Sequence, residues 1–377
     1  MKNRKKSNPV RVMLCWTIVF AVLAFAAWFG ADIISDYSAT RLDKMQAEVD
    51  EYNAKQDQAY ALALSEYEQA KSAGTNLAWP TPDNEGWDVV DLTNYPLENL
   101  GTVTLSRSDV MNNGLLLLNE WHVRPDDFND EAIVSVGNYT GWNVPVKDAT
   151  ISLFPVAIDA LQAAINDAKA LGFTDYMVQE GYRSWETQNT YFQNRVQQLQ
   201  DRYSGDALIA QARKSVSYPG TSDYNSGMSF QLRLYNREDA NVGKQEYYSS
   251  AAGQWMSENC WKYGLVFRFP LEDYPLKGTL SKAYKTGISI DLDSYRYVGK
   301  GNAAAMMALG NICLEEYLEF LQEHPHIAVF ENGVLRYEIY RQHVGDAETF
   351  ALAINTRVGN RESSLDNMGG VVTVFSH

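Results

Sequence analysis

Cysteine and histidine are scarce in this chain, which has three cysteines and five histidines among 377 residues. Because Cys15 lies within an apolar run, only Cys260 and Cys313 remain, and these form either two buried thiols or one disulfide. So few cysteines exclude a disulfide-framework domain and a cysteine-rich zinc site. The histidines are predicted to be hydrogen-bonded surface or core side chains rather than metal ligands: His122, His324, His326, His343 and His377.

The chain also lacks an excess of basic residues. Its formal net charge is −15, and because residues 1–11 contain five basic and no acidic side chains, the remainder carries −20. Such an acidic surface repels phosphate backbones. Nucleic acid is therefore not expected as a partner.

A long apolar run occurs once, at Val12–Ala31, where 20 uncharged residues match the thickness of a bilayer's hydrocarbon core. The basic residues before it predict a cytoplasmic segment at 1–11, a transmembrane anchor at 12–31 and an extracytoplasmic location for the chain from residue 32 onward. A cleaved signal peptide, processed near Ala24–Ala27, is the alternative, although the run is longer than the usual apolar core of such a peptide.

Proline and glycine are absent from residues 38–73, which are rich in helix-forming residues and are predicted to be helical. Apolar residues from Leu42 to Tyr52 follow the spacing of a coiled-coil seam for two heptads. The stalk predicted at 32–73 is therefore expected either to self-associate or to pack on its own domain. Turn-forming residues at 74–86 predict a linker.

Beyond the linker, short apolar runs at 87–153 predict strands and loops leading into a main domain. Hydrophobic periodicity then predicts helices at 155–171, 185–199, 251–263 and 302–321, and strands at 176–179 and 265–269.

The C-terminal residues have a different pattern. Asn332-Gly333 separates two apolar runs and predicts a type I′ hairpin. Two further strands are predicted at 350–354 and 371–375. Residues 323–377 are therefore predicted to be a small β-rich appendage, either a separate module or an extension of the main sheet.

Three phrases stand out: Gly-Tyr-Arg-Ser at 181–184, Ser-Asp-Tyr-Asn-Ser-Gly-Met-Ser-Phe-Gln at 222–231 and Asp-Leu-Asp-Ser-Tyr-Arg-Tyr-Val-Gly at 291–299. In order and spacing they resemble the VanY-like D-alanyl-D-alanine carboxypeptidase family of zinc metallopeptidases. Members of that family have approximately G-Y-R-S, S-x-H-x-x-G-x-x-x-D and E-x-W-H-x-R-Y-V-G. Two histidines and the aspartate bind zinc there, and the glutamate is the general base.

The resemblance places Tyr224, Gln231 and Ser294 at the zinc-ligand positions and Asp291 at the general-base position. A catalytic zinc needs about three ligands from His, Cys and Asp or Glu, and an open position for water. Tyr224 is a phenol with an ordinary pKa of about 10, Gln231 has no charge, and Ser294 is short and weakly basic. We therefore predict no zinc and no catalytic residue, because Asp291 has no activated water to deprotonate.

A different metal site is the alternative. Asp291 and Asp293 point to one face if this segment is extended, and with Asp223 they would suit a hard cation better than zinc.

The part of the family pattern that binds substrate is retained. In the family the arginine of the first phrase faces the substrate, and a guanidinium pairs with both oxygens of a carboxylate. The resemblance therefore implies that Arg183, supported by Ser184, Gln188 and Ser222, binds a peptide's C-terminal carboxylate. A structural salt bridge from Arg183 to Glu180 is the alternative.

Other residues near the phrases have predicted structural roles. Gly227 and Gly264 are expected in turns or caps. Tyr295 and Tyr297 are predicted to pack in a strand that leaves Arg296 exposed.

The resemblance implies an α+β domain at 87–322 with the fold of the D-Ala-D-Ala metallopeptidases (Hedgehog/DD-peptidase-like). Together with the predicted anchor, it implies a bacterial protein outside the cytoplasmic membrane that binds peptidoglycan stem peptides or a cell-wall protein without cutting them, as a scaffold or regulator. Two alternatives stay open. One is an active D-alanyl-D-alanine carboxypeptidase with ligands supplied from elsewhere, and the other is a purely structural membrane-tethered protein that makes its contacts through the 38–73 helix or its acidic face.

Overall fold

The structure, a computed structural model, describes Ala47, residues 78–83 and residues 85–377. The predicted cytoplasmic segment, membrane anchor and stalk therefore lie outside the described residues, apart from Ala47. Within the described part of the chain, no helix has both the length and the apolar character needed to cross a bilayer. Residues 78–377 cluster as one unit, and this unit is described by itself.

The strands of this unit are β1 (Trp87–Asp91), β2 (Leu100–Ser106), β3 (Val134–Ser135), β4 (Ser152–Leu153), β5 (Tyr176–Glu180), β6 (Ser229–Leu234), β7 (Leu265–Phe267), β8 (Ser294–Tyr297), β9 (His326–Glu331), β10 (Val334–His343), β11 (Thr349–Asn355), β12 (Arg361–Leu365) and β13 (Gly370–Ser376). The helices are α1 (Arg107–Met111), α2 (Val136–Tyr139), α3 (Pro155–Ala170), α4 (Trp185–Leu199), α5 (Gly205–Arg213), α6 (Ala251–Asn259), α7 (Ala283–Thr286), α8 (Lys300–Ala308) and α9 (Leu314–Glu323). Short 3-10 turns lie at Asp223–Ser226, Val242–Lys244 and Cys260–Tyr263.

A four-stranded antiparallel sheet carries the three phrases, in the strand order β5-β6-β8-β7. Helices α3 and α6 pack on it around a buried apolar core. Helix α3 begins with Pro155, whose missing N–H costs nothing in a first turn, and Gly172 follows its end with a φ of +94°. Because Ile158, Leu161 and Ile165 recur at helical spacing, they form one buried face. The helix predicted at 155–171 is confirmed.

A second sheet, of five strands, has the order β1-β9-β10-β13-β12. Helices α8 and α9 pack against it through a core that includes Ala304, Leu318 and Val372. The strands predicted within residues 323–377 are present, but β1 pairs with β9, and β2 pairs with β11. Main-chain hydrogen bonds therefore connect the C-terminal residues to β1 and β2, which precede the four-stranded sheet in the chain. The C-terminal residues thus form neither a separate module nor an extension of the four-stranded sheet.

The single helix predicted at 302–321 is wrong, because α8 and α9 are separate. Gly310 and Asn311 lie between them with φ of +92° and +58°, and left-handed residues of this kind end a helix. The apolar periodicity continues across the break, which explains the wrong prediction.

Several local predictions are confirmed. Asn332 and Gly333 have φ of +51° and +74°, as a type I′ hairpin requires. Gly227 and Gly264 have φ of +68° and +83° and follow 3-10 turns. The strand predicted around Tyr295 and Tyr297 is β8, whereas the sequence did not predict β6, β12 or α5. The two cysteines of this unit, Cys260 and Cys313, are free and buried, as the first alternative proposed.

Candidate functional site

The three phrases converge because β5, β6 and β8 are neighbours in one sheet. Residues 181–184 join β5 to α4, residues 222–231 form a 3-10 turn and the start of β6, and Ser294 begins β8. In the strand register, Glu180 lies opposite Gln231, and Gln231 lies opposite Ser294. Two of the three zinc-ligand positions of the family therefore lie side by side.

Tyr224 reaches the same place from the 3-10 turn. Its hydroxyl is hydrogen-bonded to the hydroxyl of Ser294, and the residue is only 5% exposed. Burial raises the pKa of Tyr224 to about 12, although the Ser294 hydrogen bond and the charge of Arg183 act in the opposite direction. The phenol is therefore neutral at physiological pH.

These side chains do not fit a zinc ion. A phenol and a serine hydroxyl that hydrogen-bond to each other offer no imidazole, thiolate or carboxylate, and Gln231 offers a neutral amide. The guanidinium carbon of Arg183 lies 4.5 Å from the centroid of the Tyr224 ring, so a fixed positive charge sits beside the site. Among the described residues, no group of three or more His, Cys, Asp or Glu side chains is placed to hold a metal ion.

Arg183 lies between two tyrosine rings. Its guanidinium carbon is 4.9 Å from the centroid of the Tyr191 ring, in addition to its contact with Tyr224. Its Nη2 pairs with Glu180 at 2.7 Å, and its Nη1 donates to Gln188 at 3.3 Å. The Nε is buried without a hydrogen-bond partner among the described residues. The salt bridge to Glu180 is therefore present, and one donor of the guanidinium is still unused.

The three predicted supporting residues have different surroundings. Ser184 is the N-cap of α4 and accepts a hydrogen bond from the N–H of Thr187 at 3.1 Å. Gln188 is fully buried, accepts from Arg183 and donates to a backbone carbonyl at 2.7 Å. Ser222 lines a cavity in front of Arg183. Ser184 thus begins the helix, Gln188 positions the guanidinium, and Ser222 alone of the three faces the cavity.

This cavity has a volume of about 200 Å³. Its polar lining includes Arg183, Lys214, Ser222, Tyr224 and Gln231. Its apolar lining includes Phe269, Ile288, Ile290 and Leu292. Cationic side chains next to an apolar wall suit a small organic anion that carries an apolar group.

Asp223 is fixed in a buried ion cluster. Its Oδ1 lies 2.6 Å from Nη1 of Arg296 and 3.1 Å from Nε of Arg268, and its Oδ2 accepts a hydrogen bond from Ser229. The Nε of Arg268 is not aligned for a hydrogen bond, so that contact is an ion pair only. Arg268 also donates to both carboxylate oxygens of Glu315, at 2.7 and 2.9 Å. Burial alone would raise the pKa of Asp223, but the two guanidinium charges hold it below its usual value.

The ion cluster corrects two predictions. Arg296, predicted to be exposed, is fully buried, and its guanidinium also donates to the backbone carbonyls of Gly114 and Leu116. Its charge is tolerated inside because Asp223 compensates it. Since the Asp223 carboxylate is occupied in this way, it cannot join Asp291 and Asp293 around a hard cation.

The two aspartates of the third phrase lie outside the cavity lining. Asp291, at the general-base position, is exposed. Asp293 is partly buried and accepts a hydrogen bond from the hydroxyl of Tyr274 at 2.9 Å. Burial raises the pKa of Asp293 to about 6, although the Tyr274 hydrogen bond lowers it. Neither carboxylate is placed to act on a molecule held beside Arg183.

Several residues of the cavity lining were not predicted from the sequence, and two of them, Tyr191 and Lys214, contribute an aromatic ring and a positive charge. Tyr191 follows Gln188 by three positions on α4, so helical spacing offered a signal that the two share a face. Lys214 follows α5, a helix that was not predicted, and no local pattern connects it to Arg183.

The histidines lie elsewhere. None of the five lines the cavity. His326, for example, is buried in the five-stranded sheet, where its Nε2 lies 3.0 Å from a carboxylate oxygen of Glu338. His324 pairs with Asp91 at 2.8 Å on the surface.

Comparison with known proteins agrees with the three phrases. The sequence model of the D-alanyl-D-alanine carboxypeptidase family (VanY) matches residues 150–299. The chain is 29% identical over 290 residues to a D-alanyl-D-alanine carboxypeptidase of Enterococcus faecium, which covers 74% of this chain and 82% of that protein. It is 26% identical over 240 residues to a D-alanyl-D-alanine carboxypeptidase of Enterococcus faecalis, covering 63% of this chain and 78% of that protein.

A solved structure has the same fold. The vancomycin resistance D,D-dipeptidase VanXYg, in complex with a D-Ala-D-Ala phosphinate analog, superposes with a TM-score of 0.55 at 21% sequence identity. The match covers 74% of this chain and 99% of that chain. The mixed α/β architecture of the described residues is therefore shared with this dipeptidase.

Proposed function

We propose that this chain, whose residues 150–299 match the sequence model of the VanY family of D-alanyl-D-alanine carboxypeptidases, binds the free carboxylate of a peptidoglycan stem peptide, or of a cell-wall protein, beside Arg183 and does not hydrolyse it. It then acts at the cell wall as a scaffold or regulator rather than as a peptidase. The proposal rests on two features of one cavity, which are the side chains at the family zinc positions and Arg183. Tyr224 and Ser294 hydrogen-bond to each other at family zinc positions, while the guanidinium of Arg183 lines the same cavity.

The loss of hydrolysis follows from the donor set. A zinc-bound water becomes a nucleophile near neutral pH only when the protein supplies the ligands that hold the metal. Tyr224, Gln231 and Ser294 supply neutral oxygens and amide nitrogen only. Asp291 is exposed and lies outside the cavity lining, and without a bound zinc ion it has no activated water to deprotonate.

The binding of a carboxylate follows from Arg183. A guanidinium keeps its charge at any physiological pH and presents several donors in one plane. The rings of Tyr191 and Tyr224 hold that plane in position, which reduces the entropy lost when a ligand binds. A volume of about 200 Å³ admits the last residue of a peptide, and the apolar wall at Ile288 and Ile290 suits a methyl side chain.

Calorimetry with the full chain tests this proposal. The ligands are a stem peptide that ends in D-Ala-D-Ala and the same peptide with a C-terminal amide. We expect the acid to bind and the amide to bind far more weakly. A charge-assisted hydrogen bond contributes about 1.5 to 3 kcal/mol, so Arg183→Ala should weaken binding roughly ten- to a hundredfold. The matched control is Arg202→Ala, an exposed arginine beyond the end of the same helix.

Three outcomes would contradict the proposal. The wild type binds neither peptide, the amide binds as tightly as the acid, or Arg183→Ala binds as tightly as Arg202→Ala. Release of D-alanine from the peptide, blocked by a chelator, would instead support an active carboxypeptidase.

We also propose that residues 12–31 hold the chain at the outer face of a bacterial cytoplasmic membrane, with its N-terminus in the cytoplasm. The support is the basic segment that precedes this apolar run. Segment 38–73 is then available for self-association between anchored copies.

A further inference from the structure

A second cavity lies between helix α3 and the five-stranded sheet, and its volume is about 680 Å³. It shares no lining residue with the cavity beside Arg183. Tyr297 of β8 lines it and follows Ser294 by three positions, and Ser294 lies opposite Gln231, which lines the first cavity. Since successive residues of a strand alternate between faces, the two cavities lie on opposite faces of the four-stranded sheet.

One wall of this cavity is aromatic. The rings of Trp87 and Tyr337 are inclined by 21°, and their centroids are 6.5 Å apart. Trp261 supports Trp87 edge-on, with a centroid distance of 5.2 Å. A Cβ added at Gly301 of α8 would come within 3.0 Å of the Tyr337 ring. The helix therefore approaches the sheet closely and fixes this ring, so the two aromatic side chains form a rigid platform.

The rim of the cavity carries charges of both signs. Arg336 pairs with Glu331 at 2.7 Å. Lys300, Asp159 and Glu362 are exposed members of the same lining. Three carboxylates and two cations nearly balance, so the rim favours neither a strongly anionic nor a strongly cationic ligand.

We propose that this cavity binds a neutral oligosaccharide. Each sugar hydroxyl both donates and accepts hydrogen bonds, so it can use the carboxylates and the cations of the rim. The C–H face of a sugar ring is apolar and packs against an aromatic ring such as those of Trp87 and Tyr337. The volume of about 680 Å³ lies within the range of ligand sites in proteins.

An extended peptide fits this wall less well. Peptides that add to a sheet need a strand with unpaired backbone groups. Tyr337 and Val374 lie on β10 and β13, and each of these strands is paired on both sides. At these two positions the wall therefore offers side chains rather than free backbone groups. The proposal does not depend on peptide binding beside Arg183.

Titration of the full chain with tetra-N-acetylchitotetraose, followed by calorimetry and by saturation-transfer NMR, tests the proposal. We expect saturable binding that Tyr337→Ala weakens about tenfold or more. Tyr337→Phe, which keeps the ring, should retain binding within about twofold. Glu362→Ala should weaken binding, whereas Glu323→Ala, an exposed glutamate outside the cavity, should not.

Cross-tests separate this site from the first. Arg183→Ala should leave saccharide binding unchanged, and Tyr337→Ala should leave stem-peptide binding unchanged. The proposal is overturned if the saccharide does not bind at millimolar concentration, or if Glu362→Ala and Tyr337→Ala both bind it like the wild type. It is equally overturned if a stem peptide binds here and is lost in Tyr337→Ala. Should Tyr337→Ala fail to fold, the exposed position Glu362 decides the outcome.

Discussion

At the scale of single residues, Arg183 already has an internal partner with which the proposed ligand would compete. Glu180 holds its Nη2 at 2.7 Å, and both side chains are partly exposed, by 19% and 25%. A ligand carboxylate must therefore approach a guanidinium whose charge is already partly neutralised. The affinity of the cleft depends on this competition as much as on Arg183 itself.

The first prediction concerns this competition. Glu180→Gln removes the negative charge but keeps the shape of the side chain, so a peptide carboxylate should bind more tightly. Because the ion pair is partly exposed, it contributes no more than about 1 kcal/mol, and the gain in affinity should be roughly fivefold. Calorimetry with the D-Ala-D-Ala peptide measures the change. Glu186→Gln, an exposed glutamate in the first turn of α4, is the control, and equal or weaker binding by Glu180→Gln would refute the prediction.

The second prediction concerns the three family zinc positions. Since Gln231 lies opposite Ser294 and Tyr224 contacts Ser294, side chains at these positions point to one place. The triple variant Tyr224→His, Gln231→Asp and Ser294→His should therefore take up about one zinc per chain, whereas the wild type should take up none. Elemental analysis of the full chain after dialysis gives the ratio. Tyr224→His alone is the control because it lacks two of the three ligands. Stoichiometric zinc in the wild type would refute our account of the site, and none in the triple variant would refute the assignment of the positions.

At the scale of elements, buried charges join segments that are distant in the sequence. Asp223 in the 3-10 turn, Arg268 after β7 and Glu315 in α9 form one ion cluster. The carboxylate of Glu338, on β10 of the five-stranded sheet, hydrogen-bonds to His326 of β9 at 3.0 Å and to Asn355 of β11 at 3.2 Å. It thereby connects this sheet to the two-stranded sheet that contains β11. Breaking a buried pair of this kind costs about 3 to 5 kcal/mol because the remaining charge has no partner.

The third prediction follows from Glu338. Burial alone would raise its pKa, but hydrogen bonds from His326, His377 and Asn355 lower it from 4.5 to about 2. A carboxyl group whose pKa is lower in the folded state than in the unfolded state stabilises the fold at pH values above its unfolded-state pKa. This stabilisation is lost as the pH falls from about 4.5 to about 2. The lost free energy of unfolding is about 3 kcal/mol.

Urea unfolding between these pH values checks this prediction. The wild type should lose more stability on acidification than Glu338→Gln, which has no carboxyl to protonate. Glu323→Gln, at an exposed position, should follow the wild type. If the free energy of unfolding fell equally with pH in the wild type and in Glu338→Gln, Glu338 would not be the cause of the acid sensitivity.

At the scale of the whole molecule, two cavities of the described unit lie on opposite faces of the four-stranded sheet. The chain beyond residue 11 carries a formal net charge of −20, which keeps it away from anionic polymers and makes binding depend on local cations. Arg183 and Lys214 are such cations in the first cavity, whereas in the second cavity Lys300 and Arg336 are accompanied by three carboxylates.

The fourth prediction concerns the location of the whole chain. Because a basic segment precedes the apolar run at 12–31, residues from 32 onward should lie outside the cytoplasm and stay attached to the membrane. Protease added to intact cells should digest the main domain, while a cytoplasmic marker protein stays intact. A soluble mature form that begins near residue 28 would instead identify a cleaved signal peptide.

The sequence by itself determined the features that depend on neighbouring residues. Pro155 and Gly172 marked the two ends of α3, and Asn332-Gly333 marked a hairpin, because each requires a local backbone conformation. The order of the three phrases also determined which side chains occupy the family zinc positions. Their chemistry alone predicted that Tyr224, Gln231 and Ser294 do not suit zinc.

The tertiary structure decided what depends on distant partners. Arg296 is buried because Asp223, far away in the chain, compensates its charge, and Trp87 joins the C-terminal sheet because β9 offers an edge. Local sequence patterns do not predict such pairings, because strand register and charge compensation depend on how whole elements pack together. For the same reason only the fold brought Lys214 to the cleft and placed Trp87 beside Tyr337 in the second cavity.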